Sequence, residues 1–132
     1  MPALTEIPFD VCERLLRAGH VGRIALVTPE GPEILPVNYA VRDDAIVVRT
    51  DPVGPIVRHG AGALVAFEVD AVDDLYWTGW SVLARGRGEV ADPPPTAAIG
   101  TAARPWAGGD RSCEFRLSWS SLSGRRVGTS SS

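Results

Sequence analysis

The chain has 132 residues, 45% hydrophobic and 22% charged, the balance of one ordinary globular domain with a modest core. Its net charge of −3 argues against a nucleic-acid-binding surface, and no signal peptide or membrane-spanning stretch is legible, so a soluble cytoplasmic protein is expected. All 13 basic residues are arginine, so any anion site must use guanidinium forks, backbone amides or helix N-termini.

DVCERLLRAG predicts a short helix lying over one end of a sheet. Asp10 and Glu13 have capping-box spacing, Cys12, Leu15 and Leu16 share a face, and Gly19 is a stop signal. Strands follow. VGRIALVT ends at the turn PEGP, and EILPVNYAV ends at RDD. AIVVRT leads into DPVGPIVRHGAG, too rich in glycine and proline for a long helix but with room for one turn around Ile56 to His59. ALVAFEVD is apolar enough for a central strand.

WSVLARGRGEV alternates, with Val82, Ala84, Gly86, Gly88 and Val90 on one face. Ser81, Leu83, Arg85, Arg87 and Glu89 fall on the other. The two glycines predict tight curvature or close backbone approach. DPPPTAAIGTAARPWA opens with prolines, as a helix can, and is rich in alanine. CEFRLSW is the last expected strand, with Phe115, Leu117 and Trp119 on one side and Glu114, Arg116 and Ser118 on the other. Residues 1–127 are expected to form a single domain and residues 128–132 a disordered tail. Six short strands separated by turns predict a mainly β fold, a small antiparallel barrel with two or three short helices.

Most catalytic readings find little support. Ser81 has no nucleophile-elbow glycines around it, and His20 and His59 lack triad spacing. Cys12 and Cys113 are too far apart for a metal or redox pair and are read as buried thiols. Glu68, Asp70, Asp73 and Asp74 read as a solvated strand end rather than a metal site. What remains is a pocket for a flat ligand. Pro36 removes a ladder donor, so Pro36, Val37 and Asn38 form an edge or bulge that frees backbone amides. Arg49 and Thr50 end a β-branched strand with a guanidinium and a hydroxyl suited to a phosphate. Trp80, after Gly79 at a strand mouth, offers an aromatic wall, whereas Trp119 alternates with Phe115 and Leu117 as core.

In order, GHVGRIAL, PVNYAV, VVRT, VAFEVD, GWSVLARGRGEV and SGRRV span residues 19 to 127. At these residues the chain resembles the pyridoxamine 5′-phosphate oxidase-like proteins, the flavin-binding split β-barrel group. The likeness extends to its small actinobacterial-type branch, which includes nitroimidazole-resistance proteins. The resemblance implies a six-stranded antiparallel split barrel with Greek-key connections, assembled as a homodimer with two FMN sites at the interface. It implies that Pro36, Val37 and Asn38 run along the isoalloxazine edge and that Arg49 and Thr50 hold the ribityl-phosphate end. Trp80 and Ser81 would approach the flavin, as would Arg125 or Arg126, from the same or the other subunit. Branch members carry a phosphate-contacting lysine shortly after the RT pair. This chain has DPVGPI there, with Asp51 adding a negative charge and Arg58 offering a substitute cation.

The resulting expectation is a dimeric FMN-dependent oxidoreductase acting on a small molecule. Two other readings stand beside it: a flavin or deazaflavin binding protein without turnover, and a flavin-free specialised-metabolite enzyme on the same barrel.

Overall fold

The computed structural model describes residues 3–91 and 112–128. Its elements run β1 (Ala3–Glu6), α1 (Phe9–Ala18), β2 (Val21–Thr28), β3 (Gly31–Asn38), β4 (Ala40–Arg42), β5 (Ala45–Thr50), α2 (Pro55–Gly60), β6 (Leu64–Asp73), β7 (Thr78–Ala91) and β8 (Cys113–Gly128). All named strands pair antiparallel in one curled sheet ordered β3-β2-β6-β7-β8-β5-β4, with β1 added beside β8. The curl brings β3 near β5, so the sheet is a half-closed, split barrel.

The six expected strands are all present, and two further segments appear. β1 carries no alternating pattern and exists through its pairing to β8, from Leu4 opposite Val127 to Glu6 opposite Arg125. β4 is the end of the expected strand EILPVNYAV, broken at Tyr39. That residue turns inward, donates its hydroxyl to the Leu16 carbonyl at 2.5 Å and meets Phe67 edge-on at 4.8 Å. Its backbone N–H bonds to His20 rather than to a sheet neighbour. Burial pushes its phenol well above the ordinary tyrosine value, so it stays a neutral donor.

α1 lies over one end of the sheet with Cys12 and Leu16 wholly buried and Leu15 half-buried. The expected capping box does not form. Pro8 is the N-cap, with φ −60, and no side chain caps the helix. Asp10 therefore sits inside the first turn, where its charge suits the positive end of the helix. Gly19 closes the helix as expected. α2 supplies the anticipated helical turn and packs on β2 and β7.

β7 alternates as read up to Glu89: Val82, Ala84, Gly86 and Gly88 are buried and Arg85, Arg87 and Glu89 are exposed, but Val90, read on the buried face, is exposed near the strand's end. Its glycines mark close backbone approach. A Cβ on Gly86 would lie 2.1 Å from the Ser118 carbonyl oxygen, and one on Gly88 would lie 2.3 Å from that of Gly60. β8 runs nine residues beyond Trp119, further than CEFRLSW suggested. Arg85 pairs with Ser121 but Gly86 pairs with Trp119, so Ser120 is an extra residue in β8, a β-bulge. Side-chain parity flips there. Phe115, Leu117 and Trp119 face the core before the bulge, and Leu122 and Gly124 face it afterwards.

Trp119 is only half-buried, its ring against the core and under the Arg17 guanidinium at 5.8 Å, not the fully enclosed core residue expected. Gly128, assigned to the tail from sequence, is the buried last residue of β8. The alanine-rich stretch 92–107 and residues 129–132 lie outside the described residues. Among the described helices, none is long and apolar enough to cross a membrane.

Candidate functional site

The predicted site residues fall into two separate clefts. The first, about 350 Å³, lies where β3 and β5 end and the chain turns toward α2. It gathers Pro36, Val37, Asn38, Arg49 and Thr50, with Asp51 and Ile56. Strand order explains the gathering: β3 is one edge of the sheet, and the curl carries that edge to the end of β5. Pro36 sits on this edge strand, where a missing N–H costs least. Asp51 is partly committed, because its Oδ1 accepts the Val53 N–H at 3.0 Å and holds the turn. Arg58 does not line this cleft; it stands exposed on α2.

Beside this cleft is a residue that alternation placed on the non-core side. Glu114 pairs with Arg49 in the β5–β8 register and is wholly buried. Its Oε2 accepts from Arg42 at 2.9 Å, and its Oε1 has no hydrogen-bond partner among the described residues. The outer face of β5 is covered here, since Val47 on that face is also wholly buried. A carboxylate on a strand face looks the same in sequence whether that face is wet or dry.

The second cleft, about 530 Å³, lies at the β6–β7 turn and the end of β8. It gathers Trp80, Ser81 and Arg125 with Asp70, Asp73, Asp74 and Trp77. Register sorts them. Ser81 pairs with Asp70 and Arg125 on the outer face, whereas Trp80 pairs with Ala71 and Arg126 on the face that leads into the core. Trp80 is half-buried and packs partly against that core. The arginine that shares a face with Ser81 is thus Arg125, and Arg126 accompanies Trp80 in a smaller adjoining cleft. The carboxylates and Trp77 were not anticipated as site residues. The acid ending VAFEVD and the run DDLYW were their only signal, and both read equally as a solvated strand end and turn.

On the outer face, Arg23 joins Glu68 and Asp70. Its Nε and Nη2 donate to Glu68 Oε1 at 3.0 and 2.8 Å, and Nη2 also donates to Asp70 at 2.6 Å. The hydrogen bond to Glu68 raises the Arg23 pKa. Burial raises that of Glu68; Arg23 opposes the rise and neighbouring Asp70 adds to it. With its folded pKa above the unfolded value of about 4.3, Glu68 binds its proton more tightly when folded. Stability should therefore fall as pH rises from the unfolded pKa through the folded one, then level off. The fall should be small, because the Glu68 side chain remains about one-third exposed. Glu68→Gln should remove that step from a melting-temperature profile between about pH 3 and 7. An unchanged profile would show that Glu68 titrates normally.

Both cysteines are buried, as expected, and burial pushes the Cys12 thiol up. Among the described residues, no three His, Cys, Asp or Glu side chains cluster as a metal site.

Comparison with known proteins agrees with the fold. The sequence pattern of the pyridoxamine 5′-phosphate oxidase family matches residues 9–126. An uncharacterised protein of Mycobacterium tuberculosis, Rv0080, is 36% identical over 109 residues, covering 78% of this chain and 72% of the relative. The solved structure of an FAD-binding protein from Mycobacterium smegmatis is 25% identical, with a TM-score of 0.71 over 94% of this chain and 98% of that one. An FAD-binding protein from Mesorhizobium loti shares the fold at a TM-score of 0.76 and 23% identity, over 93% and 97% of the two chains. So does a protein from Bacteroides thetaiotaomicron described in terms of 5-nitroimidazole antibiotic resistance, at 0.78 and 13%, over 97% and 90%. With the split barrel and a family pattern running from α1 to the end of β8, the chain belongs to the pyridoxamine 5′-phosphate oxidase family.

Proposed function

We propose that the chain is a dimeric flavin-dependent oxidoreductase with FMN as its cofactor, acting on a small molecule. The observation that carries this reading is the division of the site. One chain holds a cleft with a guanidinium, a hydroxyl and an edge strand, and apart from it an aromatic cleft with Trp80 and Arg125. Each is open on one side, and a second copy can supply the missing wall. The FAD-binding proteins that share the fold favour a flavin, and FMN and FAD have the same isoalloxazine and first phosphate.

In this reading Arg49 and Thr50 fix the phosphate by charge-assisted hydrogen bonds. Pro36 to Asn38 present backbone along the ring edge. Trp80 and Arg125, which share one cleft, come together from the second copy: the indole walls the ring and the guanidinium places positive charge near it. Bound flavin would supply hydride chemistry, and the protein would supply orientation and electrostatics. The purified protein should be yellow, with flavin absorption that bleaches on adding a nicotinamide nucleotide and returns on turnover. A colourless protein that takes up no FMN would end this reading. The alternative, flavin binding without turnover, draws support from the first cleft, whose only lining acid among the described residues is the turn-forming Asp51.

The outer face of β2, β3, β6 and β7 supports the dimer. Ala25, Ile34, Ala66 and Leu83 line a shallow apolar groove of about 260 Å³, and Ile34, Val27 and Leu64 stand largely exposed around it. Apolar surface of this kind usually marks an interface. An obligate interface would bury on the order of 2,000 Å² or more. Light scattering at micromolar concentration should give twice the 14.0 kDa chain mass. A stable monomer would remove the composite site.

Trp80 and Trp119 should behave differently. Trp80→Leu should restore much of the emission of bound flavin with a modest loss of stability, since the indole is only partly in the core. Trp119→Leu should leave quenching unchanged and cost about 1–3 kcal/mol, less than truncation of a fully buried aromatic. Flavin fluorescence titrations and thermal melts of both variants check this. Unaltered quenching in Trp80→Leu would make Trp80 structural.

A further inference from the structure

We infer that two copies join by their outer faces about a two-fold axis running between β2 and β6, so that Ser81 and Arg125 of each copy complete the Arg49 cleft of the other; this rests on the dimeric flavin reading above. Register decides where the axis falls. Across the β2–β6 pair, Arg23 lies opposite Glu68 and Ala25 lies opposite Ala66. A two-fold along the strands between them sets each residue of such a pair over its opposite in the second copy. Arg23 then meets Glu68 twice, and the four groups form a ring of alternating sign. Ala25 meets Ala66, two small side chains that let the sheets approach closely, in the middle of the apolar groove. An axis along β6 itself would instead stack Glu68 on Glu68 and Asp70 on Asp70, like charge on like.

One strand further out, the same axis exchanges β3 with β7. Pro36 lies opposite Arg23 and Leu83 opposite Glu68, so the two share a level and meet as an apolar contact. From the Ala25 level to the Val21 level of these four strands, Arg23 and Arg85 balance Glu68 and Asp70, and no net charge drives the copies apart. Two residues on from Pro36 and Leu83 stand Asn38 and Ser81, with Arg125 beside Ser81 on β8. The axis lays Ser81 over Asn38. It carries Arg125 one strand past the β3 edge, over the gap between β3 and β5 where Arg49 and Thr50 end. The outer face is convex, because the core fills its inner side. Two convex faces touch along the axis and part on either side, and each parting leaves room for a flat ring between Asn38 of one copy and Ser81 of the other.

The test uses the full chain and needs no flavin. Arg23→Glu leaves positions 23 and 68 acidic in both copies, and Glu68→Arg leaves them basic. Each variant alone should therefore dissociate about 100-fold more readily than wild type, or more so. Mixed one to one, the two variants should return to twice the 14.0 kDa chain mass by light scattering. Acids then face arginines across the axis, although each chain still carries like charges side by side, so only a contact between copies can be restored. Both side chains are about one-third exposed, so each variant should stay folded by circular dichroism. Cross-linking measures the same geometry with the charges untouched. Chains carrying Pro36→Cys and Leu83→Cys, mixed and treated with a short bis-maleimide, should couple, since the two positions face each other at about the 10 Å spacing of packed sheets. Either variant alone should stay uncoupled, its two cysteines being offset sideways by three strand spacings, about 14 Å. The native Cys12 and Cys113 are buried and do not interfere. Single charge variants that stay dimeric, a mixture that stays monomeric, or mixed cysteine chains that do not couple would overturn the inference. A yellow dimer that does not couple sinks the axis alone, and a colourless dimer that couples ends the flavin reading and leaves the axis standing.

Discussion

Arg49→Ala should weaken FMN binding by about 10- to 150-fold and leave riboflavin nearly unaffected. The guanidinium ends β5 at the cleft that also holds Asn38 and Thr50, and Thr50 is buried there. Removing a charge-assisted hydrogen bond to a phosphate costs about 1.5–3 kcal/mol, which sets the range. Riboflavin has no phosphate and so nothing to lose. The comparison also controls for structure, because Arg49 lies opposite Glu114 in the register and its loss could disturb that pair. Such a disturbance would weaken both ligands together. Fluorescence titration of the two flavins against wild type and variant decides the matter, and equal weakening would make Arg49 a structural residue.

The largest stability effect is expected at Gly88. Gly88→Val should cost about 3 kcal/mol, the upper end of the overpacking range and a large share of a typical domain's roughly 5–15 kcal/mol. The reason is the neighbour that cannot move. A Cβ would lie 2.3 Å from the Gly60 carbonyl oxygen, itself fixed by the end of α2, and 2.4 Å from the Phe115 ring. The Gly88 N–H also bonds to the Ala63 carbonyl at 2.9 Å, so β7 cannot back away without losing a bond. Glu89→Ala, one residue along and exposed, should stay within about 0.5 kcal/mol of wild type. Urea denaturation of the pair tests the contrast. A Gly88→Val protein with an unshifted midpoint would show that α2 yields more readily than its packing implies.

Much of this was legible because turn signals bound runs that either alternate, as in β7, or are β-branched and buried on both faces, as in β5. VGRIALVT, AIVVRT and WSVLARGRGEV match β2, β5 and most of β7. What was not legible arises between elements. The break at Tyr39 has only Asn38 as a local signal; there the phenol reaches a helix carbonyl and the Tyr39 N–H leaves the ladder for His20. The continuation of β8 was hidden by Ser120, which reverses the parity on which the reading relied. Asp10 was read as a cap because its spacing to Glu13 fits, but Pro8 starts the helix two residues earlier. The Arg49 half of the site could be read because its residues end strands that the curl brings together. The other half could be read only in part. Trp80 and Ser81 are neighbours in sequence but lie on opposite faces, and an acid at a strand end gives no sign of the cleft it lines.

The pairing of β8 has a consequence for how the chain reaches this structure. That strand holds β7 along most of its length and is the sheet partner of both β1 and β5. Without it the sheet divides into β3-β2-β6-β7 and a separate β5-β4 hairpin, and β1 has no place to dock. A nascent chain that has emerged only through β7 therefore cannot hold its two ends together. The pairings that join these two parts must wait for the last described strand, and closing such distant pairs is slow, on the order of milliseconds to seconds for all-β topologies. Until then the free edges of β7 and β5 are open to any other strand, so it is during synthesis, rather than after it, that the protein is most exposed to aggregation.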